Sequence, residues 1–134
     1  MPNYDHCQYI SDIDDRIACL ENGMRDDIGS DRFIPYIQKF EFEALLFSNN
    51  RGFENYYEGK IVRQTAAIVD SYPNPEEIND NPATSPSNRL KNIIPQYNKV
   101  SVGNIIALDV GTDAILEKCP RFRNWVEILI EAVK

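Results

Sequence analysis

The chain has 134 residues, 43% of them hydrophobic and 26% charged, with a formal net charge of −7. That is a one-domain length with enough apolar content for a core, which excludes an intrinsically disordered chain. The acidic balance argues against a free-standing nucleic-acid binder, whose footprint is basic. No run of about 18 apolar residues is present to span a membrane, and no apolar run follows a basic N-terminal segment as a signal peptide requires.

In chain order, apolar residues at 10, 13, 17, 20, 24 and 28 follow the helical period. Ser11 is the expected N-cap, Asp12, Asp14 and Asp15 sit in the first turn where the helix dipole favours acids, and Gly29 supplies the stop. "RFIPYIQ" (32–38) changes period and reads as a strand. Its Pro35 breaks any helix and removes a ladder donor, which puts the strand at an edge or a bulge. "FEFEALLFS" (40–48) returns to helix, and Ile61, Thr65, Ile68, Val69 and Tyr72 form a helical stripe closed by Pro73. Short helices follow over 101–110 and 112–118, separated by Gly111, and a last one carries Phe122, Trp125, Val126, Leu129, Ile130 and Val133 behind Pro120. "NKVSV" (98–102) is the only other strand candidate. The expected fold is mainly α with one or two short strands. The expected core is Ile13, Ile17, Leu20, Ile34, Ile37, Leu45, Leu46, Ile68, Ile105, Ile106, Trp125 and Leu129.

Cys7, Cys19 and Cys119 are odd in number and share no close spacing, a usage that reads as intracellular and points to the cytoplasm. His6 beside Cys7 hints at chelation, but no second close pair completes a tetrahedral site.

Two stretches carry the candidate site. "NPEEINDNPATSPSNRL" (74–90) holds three prolines, four asparagines, three acids and a single arginine, with only Ile78 and Leu90 as large aliphatics. Asn74-Pro75-Glu76-Glu77 and Ser85-Pro86 are both helix starts, so the stretch is a structured connector. A helix start attracts anions, and Arg89 lies one turn in: it either forks a phosphate or pairs with Glu76, Glu77 or Asp80 to hold the loop. In "KFEFEAL", Glu41 and Glu43 flank a phenylalanine at the end of the expected strand. Glu43 either caps the following helix or is presented to a metal. The candidate site residues are Glu41 and Glu43 as carboxylates, with Asn79, Asp80, Ser87 and Arg89 toward substrate.

Taken in order, "RFIPYIQKFEFEALLFSN", "NPEEINDNPATSPSNRL", "VGNIIALDVG" and "LEKCPRFRNWV" resemble one bacterial family, catalogued as domain of unknown function 4276, over roughly residues 3 to 130. The resemblance implies a Toprim-like fold, often encoded beside an ATPase in phage-defence operons. Complete members place acidic motifs on two strands ahead of the region matched here. The resemblance therefore makes residues 1–134 a single domain that is the C-terminal part of a larger α/β Toprim-like domain. It also implies Mg or Mn for the complete fold and no cofactor for this chain alone. Expected partners are an ATPase or a complementary N-terminal fragment, with nucleic acid only for the complete fold and no membrane. Departures from the family pattern are Phe40 where histidine is usual, Asn81 for glycine, Asn88 for lysine and Arg121 for histidine. Two functions compete: a catalytically incomplete Toprim-like nuclease subunit, inactive alone, and a non-catalytic module that docks a partner.

Overall fold

A computed structural model describes residues 1–79 and 81–134. Its backbone groups into two compact units, residues 1–39 with 125–134, and residues 40–124.

In the first unit, α1 (Tyr4–Cys7) precedes α2 (Ile13–Ile28). The N-cap of α2 is Asp12 rather than the expected Ser11, and its side chain accepts the Asp15 N–H at 2.9 Å. Asp14 and Asp15 occupy the first turn, and Gly29 closes the helix with φ 61°, a left-handed stop that glycine adopts without a Cβ penalty. Ile17, Leu20 and Gly23 form the buried face. Cys7 and Cys19 are joined as a disulfide, with Cα atoms 5.8 Å apart. The sequence shows no close spacing between them; the chain reversal between α1 and α2 brings the two positions together. Cys119 is the free thiol.

The expected strand at 32–38 is irregular over 33–38 and joins no ladder, and among the described residues there is no strand at all. Side chains replace strand partners. The Ile37 N–H donates to Glu21 Oε1 at 2.8 Å, and the Ile34 carbonyl accepts the Trp125 indole N–H at 3.2 Å. Tyr36 stacks on Trp125 with ring centroids 5.0 Å apart. These contacts meet the demand for backbone partners that a lone strand would leave open.

The second unit begins with a 3-10 helix, Phe42–Ser48. Then come α3 (Arg51–Glu54), α4 (Lys60–Ser71), a 3-10 turn at Pro75–Glu77, and α5 (Pro86–Ile93). "NKVSV" forms no strand: Lys99–Gly103 is a π-helical turn leading into α6 (Asn104–Val110), and α7 (Thr112–Lys118) follows Gly111 as expected. The final helix, α8 (Pro120–Ala132), belongs to this unit through Asn124 and to the first unit beyond it.

The core of the second unit is Leu46, Phe47, Phe53, Ile68, Ile78, Leu90, Ile94, Ile106 and Val110. Phe47 and Phe53 stack at 5.6 Å. Of the expected core, Ile17, Leu20, Leu45, Leu46, Ile68 and Ile106 are buried. Ile13, Ile34, Ile37, Trp125 and Leu129 are only partly covered, and Ile105 is 43% exposed because α6 buries one face, that of Ile106 and Val110. Ile78 and Leu90, the two large aliphatics of the polar stretch 74–90, are both wholly buried. They are the anchors that turn a polar connector into a fixed one.

Candidate functional site

Two carboxylates in the second unit hold helix starts that lie far away in sequence. Ser85 and Pro86 open α5 as the sequence indicates, yet the Ser85 side chain makes no capping bond. Glu41 supplies it: Oε2 accepts the Ser87 N–H at 2.7 Å and Oε1 accepts the Ser87 hydroxyl at 2.9 Å. Glu76 does the same for α8, with Oε2 accepting the Arg121 N–H at 2.8 Å and Oε1 the Phe122 N–H at 3.1 Å. In each case a proline occupies the first helical position, where its missing N–H costs nothing, and a remote carboxylate meets the N–H groups just after it. The negative charge also faces the positive end of the helix dipole.

The backbone ahead of Glu41 is strained. Phe40 sits at φ 64°, in the left-handed region, and Glu41 follows in an extended conformation (φ −138°, ψ 151°). A bulky residue in that region costs about 1–3 kcal/mol and persists only where surrounding contacts over-determine it. The bidentate bond from Glu41 to Ser87 is one such contact.

Glu43 is buried, at 1% exposure. Tyr97 donates its hydroxyl to Oε1 at 3.4 Å, and Lys99 Nζ lies 3.2 Å from Oε2. Oε2 has no hydrogen bond of good geometry, so Lys99 compensates it as a point charge, not as an aligned donor. The Lys99 side chain is 56% exposed. Burial pushes the Tyr97 phenol well above its ordinary value, helped by the charge and hydrogen bond of Glu43 and by the charge of Glu41. Both glutamates therefore act on one phenol.

Asn79 and Arg89 form a second group, linked through Thr84. Asn79 Oδ1 accepts the Thr84 hydroxyl at 2.8 Å and the Asn81 N–H at 3.2 Å. Arg89 Nε donates to the Thr84 carbonyl at 2.5 Å, its Nη2 to the Tyr72 hydroxyl at 3.1 Å, and its guanidinium lies 5.4 Å from the Tyr72 ring centroid. Arg89 thus ties the loop at Thr84 to Tyr72. Ser87 and Arg89 are two positions apart on α5, a spacing that does not put side chains face to face. The expectation for Asp80 lies outside the described residues.

Tyr97, Lys99 and Glu76 were not among the sequence candidates. "QYNK" (96–99) gives one weak signal, a cation and a phenol in a short polar run. Glu76 gives none, since its position after Asn74-Pro75 reads as an ordinary first-turn acid. Behind it, Cys119 is buried with Sγ 3.5 Å from the Ser48 hydroxyl, and burial pushes its thiol up to about 12.

The family model described as Domain of unknown function (DUF4276) matches residues 3–130, nearly the whole chain. The chain belongs to this family. No curated protein and no solved structure matches it.

The metal implied by a Toprim-like reading does not fit these residues. Mg²⁺ demands near-octahedral oxygen ligation. Both oxygens of Glu41 are engaged by Ser87, and a lysine ammonium stands 3.2 Å from the inward oxygen of Glu43. Among the described residues no group of three or more His, Cys, Asp or Glu side chains comes within range of a common ion. Nor is any helix among them long and apolar enough to cross a membrane.

Proposed function

We propose that this chain is a divergent Toprim-like protein of a phage-defence system, catalytically incomplete on its own, which serves as the scaffold part of a cytoplasmic nuclease. The observation that carries the reading is the state of Glu41. This candidate catalytic carboxylate is bound on both oxygens to Ser87 and fixes the start of α5. Glu43, its companion, is neutralised by Lys99 and hydrogen-bonded by Tyr97. Carboxylates so engaged support architecture and not metal-assisted phosphoryl chemistry, which needs free oxygens converging on each cation. The phase of phage defence, the Mg or Mn dependence of a completed fold, and the partners (an ATPase or a polypeptide bearing the two acidic strands) rest on family resemblance.

The test is a nuclease assay on the purified chain with Mg²⁺ or Mn²⁺, alone and mixed with a polypeptide carrying the acidic strands. No cleavage alone and metal-dependent cleavage by the mixture is the expected result. Metal-dependent cleavage by the chain alone, abolished by Glu43→Ala, would overturn the proposal.

A further inference from the structure

We infer that the Cys7–Cys19 disulfide is a reversible redox staple that holds the N-terminal segment against α2 and releases it on reduction. The inference is independent of the proposed function.

The segment has little else to keep it ordered. Its one helix, α1, spans four residues, far below the roughly 12–15 at which an isolated helix becomes even marginal in water. Its N-cap residue, Asn3, sits at φ 57° and makes no side-chain capping bond. Two contacts besides the disulfide help to dock it. Arg16 Nε donates to the Ile10 carbonyl at 2.8 Å. Gly23 on α2 lets residues 2 and 3 lie against the helix: a Cβ there would stand 2.9 Å from Asn3 Cβ and 3.0 Å from the Pro2 carbonyl oxygen. By contrast α2 has four turns, its own Asp12 and Gly29 caps and a buried face, so it does not depend on the cross-link.

The two sulfurs differ in access. Cys7 is fully buried, whereas Cys19 is partly exposed. A thiolate reductant therefore attacks Cys19 Sγ, forming a mixed disulfide there and expelling the Cys7 thiolate, which takes up a proton. A second reductant thiol attacks the mixed disulfide, frees Cys19 as a thiol and leaves as the oxidised disulfide. Two electrons pass from the dithiol to the protein, and a small disulfide oxidant runs the steps in reverse. The third cysteine stays outside this exchange, being buried in the other unit at Ser48.

The experiment is amide hydrogen exchange on the whole chain, oxidised with a small disulfide and then reduced with dithiothreitol, with thiols counted after denaturation. The count is expected to rise from one to three. The amides of Cys7, Gln8 and Ile10, bonded to Asn3, Tyr4 and Cys7 carbonyls, are expected to exchange about tenfold faster or more after reduction, as local opening requires. Those of α2 are expected to hold, and reoxidation restores the original rates. Cys119→Ser leaves this behaviour unchanged, and Cys7→Ser with Cys19→Ser locks the fast-exchanging state. Three results each overturn the inference: three thiols after oxidation, unchanged exchange at residues 7–10 on reduction, or loss of protection in α2 together with α1.

Discussion

At the scale of single residues, burial decides how much each remote cap contributes. Glu76 is wholly buried, so in Glu76→Ala the N–H groups of Arg121 and Phe122 lose a carboxylate that sits inside the protein. A buried donor left without an acceptor costs about 1–3 kcal/mol. Glu41 is only partly buried, and water can take its place at Ser87. Glu41→Ala should therefore cost no more than about 1 kcal/mol, the middle of the range for a lost cap. Urea unfolding of the two variants checks the order; a larger loss for Glu41→Ala would mean that its role exceeds capping. Tyr97 gives a pH dependence. Its phenol is raised above the ordinary 10.0, mainly by burial and then by Glu43. A folded state that holds the proton more tightly than the unfolded chain gains stability that is complete below pH 10 and is lost as pH climbs above it. Tyr57 is raised by burial too and shares the slope. Tyr97→Phe is expected to flatten the alkaline fall in unfolding midpoint, measured from about pH 9 to 11, without removing it.

Among elements, α3 and α6 approach each other tightly at Gly52. A Cβ at Gly52 would stand 2.6 Å from the Ile106 carbonyl oxygen and 2.7 Å from its Cγ2. Alanine raises helix propensity by about 1 kcal/mol, but overpacking a tight contact costs typically 1–3 kcal/mol. The clash is with backbone, which gives least, so Gly52→Ala should lower the unfolding midpoint. A rise would show that α3 shifts freely against α6. Periodicity made α2, α4 and α6 legible in the sequence, because each buries one face, and α7 was legible from Gly111 ahead of it and Pro120 behind it. The segment at 33–38 was legible as non-helical, but the expected strand did not form, since its partners are side chains of Glu21 and Trp125 rather than a second apolar run. The starts of α5 and α8 were legible from Ser85-Pro86 and Pro120. Their capping carboxylates were not, because nothing local links Glu41 to Ser87 or Glu76 to Arg121. The disulfide was hidden for the same reason. Ile78 and Leu90 could have been found: a large aliphatic kept in an otherwise polar stretch is there to be buried.

For the molecule as a whole, the two remote caps set an order in time. The bonds from Glu41 to Ser87 span 46 residues, and those from Glu76 to Arg121 and Phe122 span 45 and 46. Each closes a large loop in exchange for two hydrogen bonds, whereas the turns of α4 or α5 form between near neighbours. Loop closure of that length comes late unless hydrophobic contacts have already brought the ends together. The caps are accordingly expected to be absent from the folding transition state and present only in the native one. Substitutions that weaken them then act on one rate alone. Glu41→Gln and Glu76→Gln should leave the refolding limb of a stopped-flow denaturant series where it is and raise the unfolding limb by the full equilibrium loss. Glutamates that look like remnants of chemistry would in that case serve as latches, determining how long each folded molecule lasts and not how fast it forms.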